Sequence, residues 1–290
     1  MSNPFTGSHG RPATVGHRGA RSLAPENTLA SFRKAIELGV DAVECDVHLT
    51  RDGHPVIFHD FTLERCTDYP ERAAAAGSKL SPFLEDWTLA ELRTLDAGSW
   101  FEKQDPFGQV KAGAVSADAL ASYRGERIPT LHELLTLCGD AGTPVVLEIK
   151  QGPRPSEELV KRCVAALRSS RLIERTSVIC FDHPSLLVAK REEPQLQVGA
   201  LLVERLANPA RYARQTLGAS LISVHCPPGA FLRHRPVDTS LGQDVRMAHE
   251  EGVALHVWTV NDPSDFKGLV EVGVDGIATD FPHLLLAAMR

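Results

Sequence analysis

The most regular pattern in the chain is the strict alternation of apolar and polar residues from Ala42 to Leu49. It predicts a β-strand with apolar side chains on one face and Glu44, Asp46 and His48 on the other. Side chains at positions i and i+2 of a strand lie about 6.5 to 7 Å apart on the same face. Two carboxylates and an imidazole therefore line one side of this strand, an arrangement that costs free energy in an ordinary core.

A second apolar run follows after a short turn and ends in His59 and Asp60. Parallel neighbours need a connection of about a dozen residues or more, whereas the two runs are separated by six. Pro55 to His59 is therefore predicted to fold back as an antiparallel hairpin that turns at residues 51–53. This hairpin brings His59 near the level of Glu44, so that two successive strands deliver titratable groups to one place.

The rest of the pattern predicts strands that alternate with helices. Predicted strands cover residues 13–16, 145–150, 177–181, 198–203, 221–224, 254–260 and 276–279, and predicted helices cover residues 28–38, 156–169, 184–193, 207–217, 242–251 and 263–272. Asn27 is the expected N-cap of the first helix, and Thr130 with Glu133 forms a capping box for a further helix. Without the hairpin arm there are eight strands, which predicts an α/β fold, a closed (β/α)8 TIM barrel.

Two stretches depart from that regular alternation. Residues 61–127 show fading periodicity, several prolines and one short helical patch at residues 88–95. A structureless connection of that length is unusual inside a compact barrel, so we predict a small inserted subdomain or lid. Residues 1–12 are polar and rich in Gly and Pro, which predicts a flexible leader before a barrel domain at residues 13–290.

Composition narrows the class of protein. The chain has 290 residues, 43% hydrophobic and 23% charged, which is typical of a globular protein with one large core. A net charge of −6 without any basic run argues against nucleic acid binding. The six cysteines are widely spaced with no C-x-x-C pair, so we expect reduced thiols and a cytoplasmic location. No apolar run suits export or stable membrane insertion, and the oligomeric state stays open.

Acidic residues gather at the carboxyl ends of the predicted strands, where the chemistry of such barrels lies. Glu44, Asp46 and Glu148 form an oxygen-rich, negatively charged cluster. Hard divalent cations take oxygen ligands, and no cysteine or paired-histidine spacing indicates zinc. We therefore predict a site for Mg²⁺ or Ca²⁺, without choosing between them.

Two cations and two histidines accompany this cluster. Arg18 and Lys150 would neutralise an anionic substrate, and an arginine offers phosphate a bidentate fork. His17 and His59 can act as an acid/base pair because imidazole titrates near neutral pH. With a metal ion, this set describes phosphoryl transfer better than acyl or hydride transfer.

Each of these residues also has a structural interpretation. Either histidine can simply stabilise the fold. Lys150 can pair with Glu148 or Asp46, and Trp258, on a late strand, can be a core residue.

Several short motifs follow one another in the chain. They are His17-Arg18-Gly19, Pro25-Glu26-Asn27-Thr28, Glu44-x-Asp46-Val47, Leu49-Thr50-x-Asp52-Gly53, His59-Asp60, Glu148-Ile149-Lys150 and Trp258-Thr259-Val260-Asn261. In this order they resemble the glycerophosphodiester phosphodiesterase family, over a stretch that runs from Val15 to Pro282. Residues 96–101 and 126–131 also look like the inserted segment of that family.

The resemblance implies a TIM barrel with a small insertion and metal-dependent hydrolysis of glycerophosphodiesters to sn-glycerol 3-phosphate and an alcohol, a reaction of lipid and glycerol metabolism. Carried over to matching positions, it implies the following roles: Glu44, Asp46 and Glu148 as ligands of Mg²⁺ or Ca²⁺, His17 and His59 as general base and general acid, Arg18 and Lys150 on the phosphate, and Phe181 and Trp258 beside the substrate. Which histidine is acid and which is base stays open. Similar enzymes use the glycerol 2-hydroxyl as an internal nucleophile, which proximity favours.

Two other functions compete with this interpretation. A lipid phosphodiesterase of the lysophospholipase D or sphingomyelinase D type would need apolar access for an acyl chain, which the insertion could provide. A barrel that only binds a phosphate ligand would not need two histidines beside three carboxylates. The chain departs from the family where Cys180 precedes Phe181 in place of the usual serine, and where residues 106–123 lengthen the insertion. These departures bear on the alcohol that is released.

Overall fold

The strands form one closed ring. The computed structural model describes residues 5, 10–77, 79–152, 155–204, 206–226 and 239–290, with the backbone alone at 239 and 240. In these ranges the strands are β1 (Ala13–Gly16), β2 (Ala42–Leu49), β3 (Pro55–Ile57), β4 (Val145–Ile149), β5 (Thr176–Cys180), β6 (Gln197–Leu202), β7 (Leu221–His225), β8 (Ala254–Trp258) and β9 (Gly276–Thr279). All except β3 pair in parallel, and the pairing of β1 with both β9 and β2 closes the barrel. The predicted TIM barrel is confirmed.

The predicted hairpin is also present. β3 pairs antiparallel to β2 with Val47 opposite Ile57. The amide of Phe58 donates to the carbonyl of Asp46 at 3.0 Å, which places the next residue, His59, close to the level of Glu44. The turn at residues 50–54 therefore sets the position of His59 relative to the acidic strand.

Helices surround the ring and follow the strands. They are α1 (Leu29–Leu38), α2 (Tyr69–Ala75), α3 (Leu89–Leu92), α4 (Trp100–Gln104), α5 (Ala117–Tyr123), α6 (Leu131–Ala141), α7 (Glu157–Ser169), α8 (His183–Glu192), α9 (Pro209–Arg211), α10 (Thr239–Glu250), α11 (Pro263–Val272) and α12 (Pro282–Ala288). Short 3-10 turns lie at Leu84–Asp86 and Ile173–Arg175. A helical segment lies where one was predicted at residues 207–217, but only its first turn, α9, is α-helical, and it continues as a π-helical turn at Tyr212–Thr216.

Two predicted helix caps had different outcomes. Thr130 and Glu133 form the expected capping box at the start of α6. The N-cap of α1 is Thr28, whose hydroxyl accepts from the amide of Ser31, so the prediction of Asn27 was wrong. Asn27 instead adopts a φ of 56° and turns its side chain into the barrel mouth.

The barrel interior holds a small apolar cluster distinct from the larger core between strands and helices. It contains Phe5, Val15, Ala42, Val146, Ile179, Leu201, Leu221, Ala254 and Ala278. The carbonyl of Phe5 accepts a hydrogen bond from Nε2 of His256 at 2.5 Å. The expected flexible leader falls mostly on residues 1–4 and 6–9, which lie outside the described residues.

Residues 61–127 form α2 to α5 and pack on the barrel beside its mouth. The hydroxyl of Tyr123 donates to the carbonyl of Leu23 at 3.1 Å, and the ring of Phe107 meets Phe281 edge to face with centroids 5.4 Å apart. The status of this segment as an inserted subdomain stays a prediction. The six cysteines lie in the described ranges as buried thiols without a disulfide, and the cytoplasmic location stays a prediction.

Among the described helices, none has the length and apolar character that crossing a membrane requires.

Candidate active site

Three buried carboxylates meet at the mouth of the barrel. Asp46 on β2 and Glu148 on β4 are directly paired neighbours in the parallel register. Glu44 lies two residues before Asp46 and therefore on the same face of β2. One ligand oxygen from each of the three lies within 4.8 Å of the others. The strand register therefore assembles the predicted metal ligands into a cluster that can hold a cation.

Burial and the neighbouring charges shift the pKa values of all three carboxylates. Burial, together with the charges of Asp46 and Glu148, raises the pKa of Glu44 well above its ordinary value. Burial also raises the pKa of Glu148, to about 7. Burial acts in the same direction on Asp46, but the charges of Lys150 and Arg18 outweigh it and hold the pKa of Asp46 below its ordinary value. The cations of the site therefore offset the burial of Asp46 but not that of Glu44 or Glu148.

The cations predicted for the phosphate lie against this cluster. Nζ of Lys150 is 2.9 Å from Oδ1 of Asp46 and 2.5 Å from Oε1 of Glu148, so the ion pairs considered from the sequence are present. Nε of Arg18 is 3.2 Å from Oδ2 of Asp46, and its backbone amide donates to Glu44 at 2.9 Å. Both cations are thus held at the cluster by its own carboxylates.

Each predicted catalytic histidine has its own carboxylate partner. Nδ1 of His17 lies 2.6 Å from Oδ1 of Asp280, which follows β9. Nδ1 of His59 lies 2.6 Å from Oδ1 of Asp60. A carboxylate at Nδ1 favours the tautomer that carries the proton there and leaves Nε2 as the acceptor. The two imidazoles therefore resemble each other in their support, although they come from different strands.

Burial and the neighbouring charge of Arg18 lower the pKa of His17, although Asp280 acts in the opposite direction. Burial acts to raise the pKa of Asp280, but His17 and Arg21 hold it down to about 2. At neutral pH the first pair is therefore a neutral imidazole beside a carboxylate.

An aromatic wall stands on the other side of the mouth. Phe181, directly after β5, is 45% exposed, and its ring meets Trp258 edge to face with centroids 5.5 Å apart. The indole Nε1 of Trp258 donates to the carbonyl of Ser223 at 3.1 Å, and the ring also contacts His225. Phe181, Trp258, His17, Glu44 and Glu148 line one cavity, and the contact of the two aromatic residues with substrate stays a prediction.

Several residues of the site were not assigned a role from the sequence. Asn27 donates from its side chain to Oδ2 of Asp46 at 2.8 Å. Asp60 and Asp280 hold the histidines, and Glu26 accepts from three arginines: Arg18, Arg21 and Arg65. Glu26, Asn27 and Asp60 stand in motifs quoted above. Asp280 follows the last barrel strand, the position that singled out the other site residues.

The charges around the mouth leave an excess that a divalent cation fits. Within the described part of the chain, six carboxylates meet four cations: Glu26, Glu44, Asp46, Asp60, Glu148 and Asp280 against Arg18, Arg21, Arg65 and Lys150. If all six were ionised they would exceed the four cations by two negative charges, a surplus that the raised pKa values of Glu44 and Glu148 already indicate. Buried charges require compensation, which a divalent cation would supply. The donors present are carboxylate oxygens, which suit Mg²⁺ or Ca²⁺.

Known proteins with similar sequences and structures share this architecture. The profile of the glycerophosphoryl diester phosphodiesterase family matches residues 17–284. A glycerophosphodiester phosphodiesterase of Caldanaerobacter subterraneus subsp. tengcongensis is 34% identical over 280 residues, which covers 95% of this chain and 97% of that protein.

Two solved structures extend the comparison to the fold. A protein from Silicibacter pomeroyi matches with a TM-score of 0.79 and 29% identity, over 99% of this chain and 95% of the other. An Oleispira antarctica phosphodiesterase, solved in complex with the product sn-glycerol-3-phosphate, matches with a TM-score of 0.73 and 28% identity, over 96% and 97% of the two chains.

Proposed function

Because the chain belongs to the glycerophosphoryl diester phosphodiesterase family of hydrolases, we propose that it hydrolyses glycerophosphodiesters to sn-glycerol 3-phosphate and an alcohol with the help of a divalent cation. The observation that carries this proposal is the convergence of three buried carboxylates and two carboxylate-supported histidines at one barrel mouth. A site that only bound phosphate would not need two such imidazoles.

The proposed ligands of the cation are Glu44, Asp46 and Glu148. Bound there, Mg²⁺ or Ca²⁺ would act as a Lewis acid on a phosphoryl oxygen. The raised pKa values of Glu44 and Glu148 support this assignment, because an added positive charge would offset the burial of both carboxylates and their repulsion from Asp46. Asn27 and Arg18 hold Asp46 in place from the side of α1.

Arg18 and Lys150 are proposed to bind the phosphate of the substrate. Both lie beside the acidic cluster, with side chains about one-tenth exposed. A cation in so buried a place interacts strongly with a phosphate because little water screens it. Their ion pairs with Asp46 also prevent the ammonium and guanidinium from turning away before substrate binds.

His17 is proposed as the general base. Its lowered pKa keeps it neutral, and the contact of Nδ1 with Asp280 leaves Nε2 to accept the proton of the attacking hydroxyl, either the 2-hydroxyl of the glycerol or a water molecule. The new P–O bond forms as the bond to the alcohol breaks. His59, as general acid, then protonates the leaving oxygen, so the number of protons balances. Attack by water gives sn-glycerol 3-phosphate directly, whereas attack by the 2-hydroxyl gives a cyclic phosphate that a water molecule opens in a second step.

Phe181 and Trp258 are proposed to contact the alcohol group of the substrate. The exposed face of Phe181 and its edge-to-face packing on Trp258 provide an apolar surface at the mouth. A cationic head group such as choline could also rest on such rings through cation–π attraction.

The deciding experiment measures release of sn-glycerol 3-phosphate from glycerophosphocholine and glycerophosphoethanolamine. Protein treated with EDTA should be inactive, and addition of Mg²⁺ or Ca²⁺ should restore release and identify the cation. Glu157→Gln should keep wild-type release, because it removes a carboxylate on the outer helix α7 that pairs with two cations away from the proposed site. Absence of release with either metal would contradict the proposal, and lysophospholipids would then be tested for the lipid phosphodiesterase.

A further inference from the structure

One buried carboxylate connects the supports of both histidines. Glu26, with a side chain 3% exposed, lies in the connection between β1 and α1. It accepts hydrogen bonds from Arg18 at 2.8 Å, from Arg21 at 2.7 Å and from two nitrogens of Arg65 at 2.7 and 2.9 Å. The opposing charges of Arg18 and Arg65 overcome the effect of burial and hold the pKa of Glu26 well below its ordinary range.

Arg65 joins Glu26 to the second histidine. Nε and Nη2 of Arg65 donate to the two oxygens of Asp60 at 2.7 and 2.9 Å. Asp60 in turn contacts Nδ1 of His59 at 2.6 Å. A planar guanidinium that grips one carboxylate with each edge fixes the distance between them, which a flexible ammonium cannot do. Hydrogen bonds therefore connect Glu26 to His59 without a gap, through Arg65 and Asp60.

Arg21 makes the corresponding connection to the first histidine, with weaker geometry. Nη1 of Arg21 is 3.3 Å from Oδ2 of Asp280, which contacts Nδ1 of His17 at 2.6 Å. Asp280 also has a separate support, because the side chain of Asn261 donates to it at 2.7 Å. His17 thus depends less on Glu26 than His59 does.

We propose that Glu26 and Arg65 are positioning residues that hold the Asp60–His59 pair in its reactive geometry and tie it to the support of His17. This inference rests on the proposed role of the histidines in the hydrolysis. His59 has a side chain 30% exposed and stands just beyond β3, so its orientation needs an outside anchor. Arg65 comes from the segment 61–127, so that segment contributes a side chain to the support of His59.

The test compares Arg65→Ala in the wild-type background and in a His59→Ala background. If Arg65 acts through His59, its removal lowers kcat by roughly 10- to 100-fold in the first background, with KM little changed, and has almost no further effect in the second. Glycerophosphocholine is the substrate for this comparison, because its leaving oxygen needs the proton from His59. With the p-nitrophenyl ester of glycerol 3-phosphate the losses from Arg65→Ala and from His59→Ala should both shrink, because p-nitrophenolate leaves without being protonated.

Added guanidinium provides a second readout that a merely structural role would not move. Arg65 is partly exposed, at 37%, so guanidinium can enter the space left in Arg65→Ala and should restore part of kcat. It should restore nothing in the double variant. The control is Arg191→Ala, which removes an arginine that bridges the outer helices α7 and α8 through Glu157. Rescue of the single variant alone supports the inference.

Equal losses in the two backgrounds, or no rescue, would overturn the positioning role. Glu26→Gln should lower kcat as Arg65→Ala does. Its effect on the step that needs His59 should be larger than its effect on the step that needs His17. Should that variant fail to fold, the Arg65 comparison still decides the question. Failure of the proposed function is distinguishable, because wild-type protein would then release no sn-glycerol 3-phosphate or His59→Ala would keep the wild-type rate.

Discussion

His17 and Asp280 lie 263 positions apart in the sequence, yet Nδ1 of the first is 2.6 Å from Oδ1 of the second. The contact crosses from the residue after β1 to the residue after β9, the first and last strands of the chain, which pair in parallel in the barrel. A proton acceptor of the proposed reaction is thus oriented by a residue that only barrel closure brings to it.

Metal binding should stabilise the folded protein. A cation present at about 100 times its Kd raises the free energy of unfolding by about 2.7 kcal/mol when it binds the folded state alone. Thermal unfolding with and without Mg²⁺ or Ca²⁺ should show this as an increase in Tm. Glu148→Gln should lose most of that increase because it removes one ligand, whereas Glu157→Gln should keep it. An unchanged increase in Glu148→Gln would remove Glu148 from the ligand set.

Removal of either histidine should stop the chemistry without removing the metal site. General acid–base catalysis contributes about 10²- to 10⁴-fold, so His17→Ala and His59→Ala should each lower kcat by about that factor. The metal-dependent increase in Tm should remain, since neither imidazole belongs to the carboxylate cluster. Wild-type turnover in His17→Ala would refute its role as base.

The pH dependence of kcat/KM should reflect the environment of His17. Burial lowers its pKa below 6.5, and the neutral imidazole is the active form of a base. Activity should therefore fall on the acid side at a pH below 6.5. Asp280→Asn removes the negative charge that acts to raise this pKa, so the acid limb should move to lower pH while kcat decreases. An acid limb above pH 6.5 would contradict the assignment.

Asp280 should also make stability depend on pH. Its pKa is about 2 in the folded protein and 3.8 ordinarily, so the folded state binds the proton more weakly. This difference contributes about 2 kcal/mol to stability above about pH 4, and the contribution is lost as pH falls towards 2. Urea unfolding between pH 2 and 7 should show the advantage of wild type over Asp280→Asn shrinking with acidity. A constant difference would contradict this linkage.

Phe181 should affect substrate binding more than folding. Its ring is 45% exposed, so Phe181→Ala should leave Tm nearly unchanged. Loss of an aromatic contact with the alcohol group, worth about 1 kcal/mol, should raise KM about fivefold. Leu187→Ala is the matched control, because Leu187 is 46% exposed on the outer helix α8. Identical KM values for wild type and Phe181→Ala would remove this residue from the substrate surface.

The local pattern was sufficient for the strands and for the side chains that each presents. The alternation in β2 placed Glu44 and Asp46 on one face, because side chains of a strand alternate with a period of two whatever surrounds it. The short turn after Leu49 likewise required an antiparallel arm, since a parallel connection needs more residues. Eight alternating strand–helix units then predicted the closed barrel, and the comparisons confirmed its family.

Long-range pairing decided which partner each polar group has. Asn27 is a good N-cap by local rules, but buried Asp46 needs a donor more than α1 needs that cap, which Thr28 supplies. Asp280 and Arg65 reach their partners only after strand register and barrel closure bring distant segments together. Periodicity within one element therefore determined which side chains face the mouth, and the tertiary structure decided which of them meet, because burial forces each charge to find a partner wherever the closed barrel places one.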